Sequence, residues 1–203
     1  MKNNEMETIG SRPTGFLGKI AGKLMNTIHS SAYKKIIDSY IIRHCGHSKL
    51  KTALDIGCGG GVAVKLLSDI DGIKKTIGVD YSDDMVNLSR DFNKKGIAKG
   101  IVEIQNADVS ALPFEDNYFD IITAFDTINF WPDHKKAISE IKRTLKENGA
   151  FFIINAYPKE GTKWHEFVKF KSDIEYKDFL GTNGLKDVQS VIEKNTVIVW
   201  GLK

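Results

Sequence analysis

The sequence predicts an α/β fold: one doubly wound sheet, mostly parallel, with an antiparallel hairpin at its C-terminal edge. Three observations carry this. Short apolar runs alternate with helix-periodic stretches through the middle of the chain, the pattern of a parallel sheet covered on both faces. The first run, Ala53-Leu54-Asp55-Ile56, ends abruptly in Gly57-Cys58-Gly59-Gly60-Gly61, a tight strand-to-helix turn. The last two runs, residues 188–192 and 196–200, are separated only by Glu193-Lys194-Asn195, a hairpin spacing.

In chain order, residues 1–14 are polar. A helical pattern occupies residues 15–42: Phe16, Ile20, Leu24 and Ile28 recur every four positions, with Lys19 and Lys23 on the other face. This amphipathic stretch reads as a helix packed on the domain or as a lid over the active site. A membrane-surface role suits the basic face, but Gly18 and Gly22 weaken a free helix. Residues 1–48 are therefore expected to form a helical cap and residues 49–203 the cofactor-binding part of a single structural domain. Strands are expected near 52–56, 75–79, 101–105, 119–125 and 149–156, and helices near 62–70, 83–95, 133–146 and 174–182. In such a sheet ligands sit at the carboxyl ends of the strands.

The glycine turn admits φ > 0 and lets a ligand approach bare backbone, and the helix behind it offers unpaired N–H groups. Asp80 ends the second strand, about twenty positions after Gly57, where a carboxylate accepts hydrogen bonds from both ribose hydroxyls of a nucleotide. The alternative reading for Asp80 is a helix cap. Gly57, Gly59 and Gly61 make G-x-G-x-G; the NAD fingerprint is G-x-G-x-x-G, and Val62 fills its last place.

With Asn106-Ala107-Asp108, Leu112-Pro113-Phe114, Phe119-Asp120-Ile121-Ile122 and Leu145-Lys146-Glu147-Asn148-Gly149-Ala150 coming after these in order, the chain resembles the class I S-adenosylmethionine-dependent methyltransferases, of the type 11 kind. Gly60 stands where threonine is more usual, and Glu147 where proline is. The resemblance spans roughly residues 51–157. It implies a Rossmann-like fold, S-adenosylmethionine as cofactor, S-adenosylhomocysteine as product, and transfer of a methyl group by in-line displacement.

The resemblance places Gly57, Cys58, Gly59 and Gly61 against the cofactor and gives Asp55 the methionine amino group, with turn geometry as the alternative role. It sets Tyr81 and Met85 beside the adenine, although Met85 suits a core equally well. Asp108 is expected to accept from the adenine amino group and the Val109 N–H to serve a ring nitrogen. Ala124 and Phe125 are expected to line the methionine end.

The segment from Phe125 to Asp133 lies where an acceptor binds. Its Phe130 and Trp131 suit a sulfonium, which electron-rich rings attract by roughly 0.5–2 kcal/mol; core packing is the alternative. A general base is needed only for a protonated nucleophile, and His29, Asp126, His134 and Tyr157 are the candidates by position.

Composition bounds the rest. The chain has 203 residues, 41% hydrophobic, with a formal net charge of +3, too mild to argue for nucleic acid. No apolar run is long enough to span a membrane, and residues 1–5 lack the apolar core of a signal peptide. Cys45 and Cys58 alone suggest a reducing compartment, so a soluble cytoplasmic protein is expected. No metal-ligand spacing occurs. No Asn-Pro-Pro-Tyr-like run comes after the fourth strand, which argues against DNA-base or glutamine amino-methyltransferases. A small-molecule acceptor is the leading expectation. An NAD-type oxidoreductase and a non-catalytic S-adenosylmethionine-binding protein are the alternatives.

Overall fold

A computed structural model describes residues 30–46 and 50–203. The predicted Phe16–Ile28 lid and His29 lie outside the described residues. The first described helix, α1 (residues 30–45, with a π-helical stretch at Ile37–Ile42), turns Tyr33, Ile36, Ile37 and Ile41 into the core.

The elements then alternate as expected: β1 (Thr52–Ile56), α2 (Val62–Ser68), β2 (Lys75–Asp80), α3 (Asp83–Ala98), β3 (Val102–Asn106), β4 (Phe119–Phe125), α4 (His134–Thr144), β5 (Leu145–Ala156), α5 (Lys163–Phe167), α6 (Asp173–Thr182), β6 (Lys186–Glu193) and β7 (Thr196–Leu202). The seven strands form one sheet in the order β3-β2-β1-β4-β5-β7-β6. The first five are parallel, and β7 runs antiparallel to both β5 and β6.

Both faces are covered, which is why the inner strands read as continuous apolar runs rather than alternating ones. One face packs Leu54, Ile122, Phe151 and Ile153 under α4 and α6; the other packs Ala53, Ile121, Phe152 and Ile154 under α1 and α2. Chain order reverses between β1 and β4, so β1 and β4 open a crevice at their carboxyl ends.

Several element limits differ from expectation, and two short elements are additional. The fourth helix stops at Thr144 because residues 145–149 join β5 through an irregularity: Phe119 pairs with Leu145, but Ile121 pairs with Ala150. Asn148 takes the left-handed conformation there at φ +61°. The one-turn helix α5 and the 3-10 turn Ile128–Phe130 have no counterpart among the expected elements; each is too short to show periodicity.

At the opposite end of the sheet Asp120 ties three strands together. Its Oδ2 accepts from the Lys51 N–H at 2.9 Å, the Thr52 N–H at 2.8 Å and the Thr52 hydroxyl at 2.8 Å, while Oδ1 accepts from Lys146 Nζ at 2.8 Å. Burial alone would raise this carboxyl's pKa, but Lys146 and Thr52 outweigh it and hold it below the usual range. A depressed carboxyl stabilises the fold above its unfolded pKa, and that stability is lost as pH falls through the folded value. Asp120→Asn is expected to cost roughly 1–3 kcal/mol at neutral pH, shrinking toward zero below about pH 4. Urea titrations at the two pH values check this, and an equal loss at both would contradict it.

Candidate cofactor and acceptor site

Five residues must turn the chain from β1 into α2. Gly57, Gly59 and Gly61 do so with φ of +67°, +50° and +86°. At Gly57 there is also no room: a Cβ would lie 2.1 Å from Thr127 Oγ1, just past β4. At Gly59 a Cβ would meet nothing within 4 Å, so bare backbone faces open space. Gly57→Ala is expected to destabilise the fold by roughly 2–4 kcal/mol, from overpacking plus left-handed strain. Chemical denaturation measures this, and a loss below about 1 kcal/mol would mean that Thr127 yields freely.

Asp80, at the end of β2, closes the turn. Its Oδ2 accepts from the Gly59 N–H at 2.8 Å and its Oδ1 from the Ser82 N–H at 2.9 Å. The cap of α3 is Ser82, whose hydroxyl accepts from the Met85 N–H at 3.5 Å, so the capping alternative for Asp80 fails. Burial raises the Asp80 pKa against the pull of those N–H groups. Both oxygens retain lone pairs for further donors.

Asp55 is 1% exposed and accepts from the Thr123 hydroxyl at 2.7 Å. Burial pushes its carboxyl up to about 7; Thr123 pulls it down, and the charge of Asp80 raises it further. Among the described residues no lysine or arginine is pressed against either acid. Two uncompensated carboxyls beside bare glycine backbone make a cleft suited to a cation bearing hydroxyl groups, so the residues present fit S-adenosylmethionine.

The other expected cofactor residues fall at the same ends of the sheet with unequal access. Asp108 lies just past β3 and accepts from the Ser110 N–H at 2.8 Å, and the adjacent Ala107 N–H donates to the Asp80 carbonyl at 3.2 Å. Val109 is buried, whereas Tyr81 is 55% exposed. Met85 and Ala124 are buried in the protein. The Cys58 side chain packs away from the open side, with Val64, Val86, Val102 and Ile104. Asn106, which the sequence marks only as part of a motif, donates to the Tyr81 carbonyl at 2.8 Å and to Asp83 at 3.0 Å, fixing the turn after β2.

Tyr33 joins the site without any signal in the sequence, where it is one aromatic residue within a long helical pattern. Its ring lies 4.4 Å from that of Phe125, and its hydroxyl donates to Asp126 Oδ2 at 2.8 Å. Burial, then Asp126 and more weakly Asp55, hold the phenol far above its ordinary range. Asp126 adopts φ +52° and its Oδ1 accepts from the Ala156 N–H at 2.8 Å. With both oxygens engaged, Asp126 joins α1, β4 and β5 rather than standing ready as a base.

The two aromatic acceptor candidates part company. Trp131 is 7% exposed and stacks 6.5 Å from Phe151, so it belongs to the core. Phe130 is half-buried beside Phe167 at 5.5 Å and Trp164 at 6.2 Å. His134 is buried against Phe170 at 5.6 Å and Phe179 at 6.1 Å, and burial lowers its pKa. Tyr157 is half-buried, and its N–H donates to the Asn195 carbonyl at 2.7 Å.

The sequence profile of the family described as "Methyltransferase domain" matches residues 54–153, from β1 through β5. The chain belongs to the class I S-adenosylmethionine-dependent methyltransferase family. It is 31% identical over 143 residues to the uncharacterized methyltransferase YcgJ of Bacillus subtilis, covering 70% of this chain and 55% of that one. It is 29% identical over 126 residues to the demethylmenaquinone methyltransferase of Staphylococcus aureus, covering 62% and 51%. The chain thus spans about half the length of these relatives. A solved structure of a candidate S-adenosylmethionine-dependent methyltransferase from Methanococcus maripaludis superposes with a TM-score of 0.74 at 23% identity, covering 91% of this chain and 93% of that one, a likeness of fold. Among the described residues no helix is long and apolar enough to cross a membrane.

Proposed function

We propose that the protein is an S-adenosylmethionine-dependent methyltransferase that methylates a small-molecule acceptor by in-line displacement. The observation that carries this is the pairing of an open glycine turn with two acids that no cation neutralises, the buried Asp55 and the half-buried Asp80, at the ends of β1 and β2. When bound, S-adenosylmethionine supplies a methyl group on a positively charged sulfur.

The chain's own residues do the rest. Asp80 binds the ribose hydroxyls through its remaining lone pairs, and its existing bonds to Gly59 and Ser82 hold the turn in the receptive shape. Asp55 takes the methionine amino group. Asp108 and the Val109 N–H are assigned to the adenine edge, and the exposed ring of Tyr81 to its face. Tyr33 and Phe125 close the methionine end and exclude water. Positioning of this kind supplies up to roughly 7–11 kcal/mol in favourable systems. Asp126, with its oxygens engaged by Tyr33 and Ala156, and the buried His134 are set aside as general bases, so the acceptor's nucleophile is one that needs none from them.

Isothermal titration with S-adenosylhomocysteine tests the reading, with NAD as control. Binding of the sulfur ligand and a raised melting temperature are expected, with no response to NAD. Heat from NAD alone would favour the oxidoreductase alternative, and silence with both would end this reading.

A further inference from the structure

We propose that Asn129, Asn155 and Tyr176 form the polar end of the acceptor pocket and select a neutral, ring-bearing acceptor through a hydroxyl or carbonyl oxygen. This rests on the methyltransferase reading above. One compartment of the protein holds an excess of buried polar atoms lacking partners. Asn155 is fully buried, and both its Nδ2 and its Oδ1 lack a hydrogen bond; Tyr176 is 1% exposed and its hydroxyl lacks one too. Asn129 Nδ2 is in the same condition, although its Oδ1 accepts from the Lys169 N–H at 3.3 Å. Native folds seldom leave a buried polar group unmet, so such a cluster points to a partner from outside the chain.

The three come from separate elements that converge beside the cofactor cleft. Asn155 continues the row Phe151, Ile153 along β5, on the face covered by α6, and α6 carries Tyr176. Asn129 lies in the 3-10 turn after β4, two residues from the Thr127 that packs on Gly57. Burial pushes the Tyr176 phenol up to about 12, opposed by Asn129 and Asn155, which lie within weak hydrogen-bonding reach of its hydroxyl, although no well-formed bond joins it to either.

The chemistry of the cluster sets the ligand class. Two amides and a phenol are all neutral, and each both donates and accepts. None of the three offers a counter-ion to a charged acceptor, and the nearby Asp126 carboxylate is engaged by Tyr33 and Ala156. A hydroxyl or carbonyl oxygen would satisfy several at once. The neighbouring ring favours a flat apolar body: Phe170 lies 4.6 Å from Tyr176 and 5.6 Å from His134.

The test uses the full chain saturated with S-adenosylhomocysteine, whose binding is established first; its failure would sink the methyltransferase reading and not this assignment alone. Two probes of matched shape, p-cresol and p-xylene, are then titrated by ligand-observed NMR. The wild type is expected to favour p-cresol by about tenfold. Tyr176→Phe and Asn155→Leu should each erase that preference while the S-adenosylhomocysteine dissociation constant stays within about twofold of wild type. Asn155→Leu should also leave the melting temperature of the ligand-free protein unchanged or raised, because no well-formed internal bond is lost. Equal binding of both probes by the wild type, no binding of p-cresol, or an unaltered preference in the variants would overturn the proposal. So would a sharp fall in the melting temperature of Asn155→Leu, which would mean that the amide serves an internal network.

Discussion

Asp80→Ala is expected to weaken S-adenosylhomocysteine binding by roughly 1.5–3 kcal/mol, about ten- to a hundredfold in dissociation constant. Two losses combine. The ribose hydroxyls lose a charged acceptor, and the Gly59 and Ser82 N–H groups lose the oxygens that fix the turn. The second loss alone would appear as a general loosening of the ligand-free protein. It is partly offset, because burial already raises the Asp80 pKa and removing the charge relieves that cost. The melting temperature without ligand should therefore fall only modestly while affinity falls steeply. Calorimetric titration of both proteins checks this, and an unchanged dissociation constant would remove Asp80 from the site.

The readability of Asp80 in the sequence has a physical basis. Its place is fixed by a strand and a turn that are local in sequence, so spacing alone locates it. The same holds for Gly57 and Gly59, which no other residue type replaces without strain or clash. The start of β5 is not legible in this way, because its first residues join the sheet through an irregular pairing with Phe119, a contact between distant segments. Tyr33, Asn155 and Tyr176 carry no local signal for the same reason. Each owes its position to packing between elements far apart in the chain: Tyr33 on α1 reaches Asp126, 93 positions on. Trp131 misleads the other way, since an aromatic residue after β4 suits a pocket wall or the core equally until α4 and α6 are in place. The cofactor half of the site is thus written in local turns, and the acceptor half in tertiary packing.

Asp55→Asn is expected to stabilise the ligand-free protein while damaging the cofactor site. In the wild type burial, opposed by Thr123 and reinforced by Asp80, lifts the Asp55 carboxyl to about 7. In the unfolded chain it titrates near 3.9. Between those values the native state binds the extra proton, so stability is greatest at low pH and declines as pH rises through the folded value. The difference between these two values corresponds to ~4 kcal/mol at most. The variant carries no such penalty: it should match the wild type near pH 4 and exceed it near pH 8, by up to that amount.

The ligand reverses the sign of this balance. A cationic amino group beside Asp55 favours the ionised form, so binding expels a proton from a carboxyl that is half-protonated near neutrality. Wild-type affinity for S-adenosylhomocysteine should then strengthen by up to tenfold per pH unit up to about pH 7 and level off above it, whereas that of Asp55→Asn should be weaker and flat. Titrations in buffers of differing ionisation enthalpy count the released proton. A wild-type affinity indifferent to pH between about 6 and 8 would mean that Asp55 only shapes the turn. The cost of burying the Asp55 carboxylate, reinforced by the charge of Asp80, is, on this account, what makes the cleft selective for a positively charged ligand.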